Sequence, residues 1–348
     1  MKAVMKKRPA KGFELGDVEV PKVKDGELLV KVKATSICGT DVHIWKWDAW
    51  AQHRIKTPRI IGHEFAGEIV ELGVGVEGFK KGDMVSGETH INCEHCFQCR
   101  TGNGHICENV KLRGIDVDGC FAEYVAMPAS TAWKNDPKIP LEVMSAQEPF
   151  GNAVHTVYSG KVAGQTIVVM GCGPIGMCAA ALCNATGAER VFVVDINDYR
   201  LELAQKLSGN SGNLTLINSA KDDPVKAVLA ATGGRGADVV LEMSGIGECL
   251  RQSFKMVRPG GRVSILGVYP EEVSLDVTDG IVFKGALVNG VNGRLMFDTW
   301  FRSAALLRSG RVDLSKIITH KFNGLDKMDE AVEVMASGQS GKVVVFPK

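Results

Sequence analysis

The sequence predicts an α/β protein in which a doubly wound parallel sheet is joined to a β-rich module, and three observations predict it. Residues 165–200 read as strand, glycine turn, helix and second strand. Units of the same kind continue beyond residue 199 with short turns between them, the pattern of a parallel sheet wound in both directions. Before residue 150, in contrast, short strand-like runs such as 28–32 (Leu-Leu-Val-Lys-Val) are separated by Gly and Pro turns, and residues 1–35 have no helical periodicity.

The glycine unit is the most informative of the three. The apolar, β-branched run 167–170 leads into Gly171-Cys-Gly173-Pro-Ile175-Gly176, with an alanine-rich helical stretch to about residue 184 and a second strand over 191–194 ending on Asp195. Gly171 permits a tight turn, Gly173 lets the backbone approach a pyrophosphate, and Gly176 lets helix pack on strand. The free N–H groups and positive dipole end of the helix complete a phosphate site. Asp195, nineteen residues beyond Gly176, stands where a carboxylate meets a ribose 2′-hydroxyl and repels a 2′-phosphate, so the cofactor expected of this Rossmann unit is NAD. Arg200 is the kind of residue that accommodates that phosphate; it is read here as lying on the adenosine. The competing explanation is an ordinary glycine turn in another α/β domain.

Size and charge narrow the function. A chain of 348 residues exceeds one typical core, so two domains are expected, at 1–150 with 294–348 and at 151–293. A formal charge of +1 supplies neither a basic field for nucleic acid nor a polybasic arm for a membrane. Residues 1–12 carry lysines with no apolar segment after them, so no signal peptide and a cytoplasmic location are expected. Under those conditions ten cysteines point to metal rather than to a disulfide framework.

In the first module, Cys38-Gly-Thr40-Asp-Val-His43 is polar and sulfur-bearing, and is hard to explain as core alone. Trp45, Trp47 and Trp50 follow and are read as packing. His63 and Glu64 then stand side by side within an apolar run. With Cys38 they form a thiolate, imidazole and carboxylate set that Zn²⁺ accepts, and a catalytic site needs three such ligands with one position open. Glu148 is a candidate third or outer ligand. Cys93, Cys96, Cys99 and Cys107 fall within fifteen residues, a spacing able to close a tetrahedral shell around one Zn²⁺, which makes this site structural. The alternatives are an iron–sulfur cluster and disulfides. Residues 119–127 read as a strand, and 128–140 as a Pro- and charge-bearing loop.

Beyond Asp195, a helix is expected over 199–207, a strand over 238–241, a helix over 249–257 and a strand over 262–266. Ligands of such sheets lie beyond the carboxyl ends of the strands, which makes Leu266, Gly267, Val268, Val291 and Asn292 candidates to line the cofactor. A helix over 297–309 and a strand over 341–346 that returns to the first module close the chain.

Gly62-His63-Glu64, the four-cysteine lobe, the GxGxxG unit and the split first module occur in an order that resembles the zinc-containing medium-chain dehydrogenases over essentially the whole chain. That resemblance implies a GroES-like catalytic domain beside the NAD-binding domain, with one catalytic and one structural zinc per chain. It implies that Cys38, His63 and Glu64 hold the catalytic zinc, with Glu148 as an exchanging or proton-handling ligand, and that Thr40 and His43 relay a proton. Ile175, Asp195, Arg200, Leu266 to Val268, and Val291 with Asn292 are then NAD contacts. The implied reaction is oxidation of a secondary alcohol, that of L-threonine, to 2-amino-3-oxobutanoate; a polyol or 2,3-butanediol is the alternative substrate, and a non-catalytic NAD-binding protein is the alternative of another class. The resemblance also implies a homotetramer. Residues 207–216 run longer than its pattern leads one to expect.

Overall fold

The computed structural model describes residues 1–209 and 212–348; Asn210 and Ser211, inside the long 207–216 segment, lie outside the described residues. The chain divides into two units. Met1–Pro149, Leu295–Trp300 and Ile318–Lys348 form the first, and Phe150–Arg294 with Phe301–Ile317 the second.

In the first unit, β1 (Lys2–Lys6), β2 (Glu14–Asp17) and β3 (Glu27–Ser36) precede two short helices, α1 (Gly39–Lys46) and α2 (Ala49–Arg54). The strands β4 (Arg59–Ile60), β5 (Glu64–Leu72), β6 (Met84–Gly87) and β7 (His90–Ile91) follow. Next come α3 (Phe97–Arg100), β8 (Lys111–Leu112), β9 (Tyr124–Pro128), β10 (Ala132–Lys134) and α4 (Leu141–Ser145). β3 is the strand on which this unit is built: β5 and β9 both pair with it antiparallel, and its buried Leu28, Val30 and Val32 enter one apolar core with Phe65, Ile69 and Val125. The sequence left the class of one element open and differs from the structure in another. The polar 38–43 segment opens helix α1, because Asp41 closes an N-terminal cap on Cys38. The 128–140 loop contains β10, which pairs with β6 despite its charge and prolines, since an edge strand needs only one paired side.

The second unit begins within α5 (Gln147–Val157). It continues through β11 (Thr166–Met170), α6 (Pro174–Ala185), β12 (Arg190–Asp195), α7 (Asp198–Ser208), β13 (Leu214–Asn218), α8 (Pro224–Ala231), β14 (Ala237–Glu242), α9 (Gly247–Met256), β15 (Val257–Ile265) and β16 (Leu287–Gly290). These six strands are parallel in the order β13-β12-β11-β14-β15-β16, a doubly wound sheet whose direction of winding switches beside β11. Every residue of β11 is buried, as a strand covered by helices on both faces requires. Among the described residues, no helix is long and apolar enough to cross a membrane.

Helix α10 (Asp298–Arg308) does not carry the chain straight back. Buried Leu314 and Ile317 keep residues 301–317 in the second unit, against α6 and α7, whereas the sequence expectation kept all of 294–348 in the first. The chain then returns as β17 (Ile318–Asn323), α11 (Met328–Ala336) and β18 (Lys342–Phe346), and β18 pairs antiparallel with β3, Val344 opposite Ser36.

Candidate active site

The four-cysteine lobe is assembled locally. Cys96 caps α3, Cys99 lies within it, and a tight turn over Gly104–Ile106 delivers Cys107. The four sulfurs lie within 4.8 Å of one another, with Cys96 Sγ 3.5 Å from Cys99 Sγ and 3.7 Å from Cys107 Sγ, and all four are free thiols. Amides converge on them: the N–H groups of Cys93 and Asn109 each donate to Cys107 Sγ at 3.3 Å, and Asn92 and Asn109 side chains donate to Cys99 and Cys93 at 3.6 Å. The His95 backbone N–H, with other amides, lowers the Cys93 thiol to about 6, while burial pushes Cys107 up to about 11. Four sulfurs with no oxygen or nitrogen ligand among them fit a closed tetrahedral metal.

The second cluster is assembled by strand pairing. Ser36 at the end of β3 is opposite Glu64 at the start of β5, so the antiparallel register sets Cys38 beside His63 and Glu64. Gly62 turns the chain into His63 at φ +91°, where a side chain would overlap the Phe121 ring. The ligand atoms of Cys38, His63 and Glu64 lie within 4.8 Å of one another, with His63 and Glu64 buried. Glu64 is also held by protein: Ser36 Oγ donates to one oxygen, and Lys342 Nζ donates to the other at 2.7 Å and to Ile37 O at 2.8 Å. Burial works against the Lys342 charge, but Glu64 and Cys38 outweigh it and raise the pKa.

Asp41 lies under this cluster. Its Oδ2 accepts the Cys38 N–H at 2.9 Å, and its Oδ1, 3.9 Å from His63 Nδ1, is buried with no hydrogen-bond partner among the described residues. Burial raises Asp41 to about 6. Burial alone would lower His63, yet the nearby Cys38 and Asp41 charges overcome it and push the imidazole up to about 10. A buried pocket whose thiol and carboxylates outnumber its cations, with a carboxylate oxygen still unpartnered, fits a divalent cation.

The remaining predicted residues surround it differently. Thr40 Oγ1 is 3.7 Å from Cys38 Sγ. His43, one helical turn on, is exposed, with Nδ1 hydrogen-bonded to Asp48. Glu148 is buried in the first turn of α5, where it accepts a hydrogen bond from Thr89 Oγ1; it is not one of the three residues whose ligand atoms cluster. Asp41, Asp48, Thr89 and Lys342 were not singled out by sequence reasoning. The Cys38-x-x-Asp41 spacing of a helix cap was the available signal for Asp41; Lys342, 278 residues from Glu64, had none.

In the second unit the candidate cofactor residues gather at the carboxyl ends of the strands. Gly171 adopts φ +92°, a Cβ on Gly176 would come 1.9 Å from Gly171 O, and Gly173 faces open space. These are the turn, the close packing and the clear approach that a pyrophosphate needs, and Ile175 lies on the first turn of α6 behind them. Asp195 ends β12, where its carboxylate accepts the N–H groups of Cys172 at 2.7 Å and Asn197 at 3.0 Å. Arg200 Nε is buried without a hydrogen-bond partner among the described residues. Leu266 and Gly267 follow β15 and donate to Glu242 O, Val268 is 80% exposed, and Val291, whose N–H reaches Ile265 O, leads to exposed Asn292 beyond β16.

Residues 24–138 match the alcohol dehydrogenase GroES-like domain, and residues 174–309 match the zinc-binding dehydrogenase family. The chain belongs to the zinc-binding alcohol dehydrogenases, enzymes of the oxidoreductase class. It is 51% identical over 348 residues to an L-threonine 3-dehydrogenase of Caldanaerobacter subterraneus subsp. tengcongensis, covering 100% of this chain and 99% of the relative. It is 49% identical to an L-threonine 3-dehydrogenase of Pyrococcus abyssi at the same coverage. Among solved structures, 2R,3R-butanediol dehydrogenase from Bacillus subtilis superimposes with a TM-score of 0.88 at 28% identity, covering 100% of this chain and 99% of that one. An alcohol dehydrogenase from Escherichia coli CFT073, complexed with NADH, gives a TM-score of 0.89 at 28% identity and 99% coverage of both chains.

Proposed function

We propose that this chain oxidises the secondary hydroxyl of L-threonine to 2-amino-3-oxobutanoate, with hydride transfer to NAD. The observation that carries the chemistry is the Cys38, His63 and Glu64 cluster, its imidazole and carboxylate buried, with Thr40 Oγ1 3.7 Å from Cys38 Sγ. The full-length likeness to L-threonine 3-dehydrogenases supports the substrate. The likeness to a butanediol dehydrogenase keeps a vicinal diol as the second reading.

Cys38 and His63, with Glu64 or Glu148, would hold zinc, which supplies Lewis acidity to a hydroxyl beside it, and NAD supplies the hydride acceptor. Thr40, two residues from Cys38, accepts the hydrogen bond of the substrate hydroxyl and takes its proton as its own hydroxyl proton passes on. His43, on the same helix three residues further, receives it, and its exposure opens the path to water. In the second unit, Gly171 to Gly176 cradle the pyrophosphate, Asp195 receives the ribose hydroxyls and Arg200 lies along the adenosine. Cys93, Cys96, Cys99 and Cys107 hold a second zinc in a structural role.

The test is NAD reduction by purified protein with L-threonine, sorbitol and 2,3-butanediol side by side. L-Threonine is expected to give the highest kcat/KM; faster turnover of either diol would replace the substrate while leaving the machinery. We further infer a cytoplasmic homotetramer. Apolar surface on the edge strand β16 and on the helical turn before it supports self-association, with Leu287 58%, Val282 62% and Phe283 77% exposed. Sedimentation at the mass of a single chain would remove that inference.

A further inference from the structure

His43 is the one group in the relay whose orientation the cluster around Cys38 does not set, since it lies on the outer face of α1 with 59% of its side chain exposed. A side chain that exposed ordinarily samples several rotamers and both neutral tautomers. Two contacts restrict it. The imidazole meets the Trp50 ring edge-on, with centroids 6.2 Å apart, and its Nδ1 is in direct hydrogen bond with Asp48 Oδ2. Asp48 is itself fixed. It caps α2 through Oδ1, which accepts the Ala51 N–H at 3.0 Å, so one carboxylate oxygen anchors a helix while the other addresses the imidazole. Burial alone would raise the Asp48 pKa, but the His43 bond and the Ala51 and Trp50 N–H groups outweigh it and lower it, so the carboxylate stays ionised.

An ionised carboxylate only accepts hydrogen bonds, so the proton of this pair must sit on Nδ1. We propose that Asp48 is a positioning residue that holds His43 in its Nδ1–H tautomer, leaving Nε2 as the basic atom that receives the relayed proton. This rests on the reading of His43 as a relay group.

Capping alone and positioning make opposite predictions for Asp48→Asn. Asparagine caps a helix about as well as aspartate, so a purely structural role leaves turnover unchanged. Positioning predicts a loss, because an amide nitrogen turned toward Nδ1 favours the Nε2–H tautomer, which cannot accept the proton. For ¹⁵N-histidine-labelled holoenzyme, the His43 resonances are expected to report Nδ1–H in the parent and a shift toward Nε2–H in Asp48→Asn. kcat for L-threonine is expected to fall by roughly tenfold or more, up to the ~10²–10⁴-fold that loss of a proton-transfer group costs. The double variant with His43→Ala is expected to turn over no more slowly than His43→Ala alone. Asp48→Ser, which keeps a capping oxygen but is too short to reach the ring, is expected to reproduce the loss and guards against a folding artefact. An unchanged tautomer in Asp48→Asn, or losses that multiply in the double variant, would overturn the proposal. Should His43→Ala by itself leave kcat intact, the relay reading falls, and the tautomer measurement still decides what Asp48 does.

Discussion

The two cysteine-bearing clusters of the first unit are built on opposite plans. In the lobe, four like ligands come from fifteen consecutive residues and are surrounded by amide donors, so nearly all of the information is local. The pocket at Cys38 draws unlike ligands from β3, β5 and their connections, and balances them with a lysine from β18. A closed shell of like ligands can do little except hold structure. A mixed and incompletely satisfied one keeps coordination and charge available for chemistry.

This contrast can be broken or sharpened by substitution, taking the largest expected effect first. Cys38→Ser should lower kcat/KM for L-threonine by at least about 10³-fold, since Lewis-acid stabilisation is worth several kcal/mol and ~1.4 kcal/mol is one decade. One of the two expected zinc equivalents should disappear by mass spectrometry while the denaturation midpoint hardly moves. A variant that instead unfolds would erase the distinction between the clusters. Cys99→Ser should do the reverse, removing the other equivalent and lowering the unfolding free energy by several kcal/mol, since structural zinc contributes on the order of 10–16 kcal/mol of binding energy to small metal-held folds. Urea titration checks this.

Lys342→Met asks whether the pocket pays for its function in stability. Removing one partner of a buried ion pair costs about 3–5 kcal/mol, and the added change Glu64→Gln should recover much of it. No recovery in the double variant would mean that Lys342 acts through something other than Glu64. The smallest effect is expected near the base of the lobe, where Asp116 accepts the N–H of Leu112 on β8 and pairs with Arg54. Burial tends to raise Asp116, but Arg54 and that N–H hold it below the ordinary carboxylate range. Its contribution is therefore present above about pH 4 and is lost as pH falls through the depressed value. Asp116→Asn should flatten the acid limb of the stability curve by no more than about 1 kcal/mol, because water screens a pair this exposed.

What could be read from the sequence follows the same division. The glycine turn and the thiol lobe are local patterns, in which spacing along the chain is nearly spacing in three dimensions. Residues 38, 63 and 64 were recognisable as ligand types and as a family arrangement, but their proximity is a property of the β3–β5 register. Asp41 and Lys342 were not legible as members of the pocket. One looks like a helix-capping acid, and the other comes from a strand whose own run, Val-Val-Val-Phe, speaks only of core. The edge strand β10 was missed because its flanking prolines and charges resemble those of a loop, while residues 301–317 belong to the second unit with buried side chains, Val312, Leu314 and Ile317 among them, that lie past the end of the expected helix.

Asp195 would do two jobs with one carboxylate, since besides the nucleotide contact proposed for it, it pins the amide of Cys172 in the middle of the glycine turn. Anyone redesigning this protein to prefer a phosphorylated coenzyme by trimming that acid would also slacken the loop meant to receive the new ligand. Specificity and loop rigidity are therefore tied to a single side chain, and a successful redesign has to replace the lost acceptor as well as remove the charge.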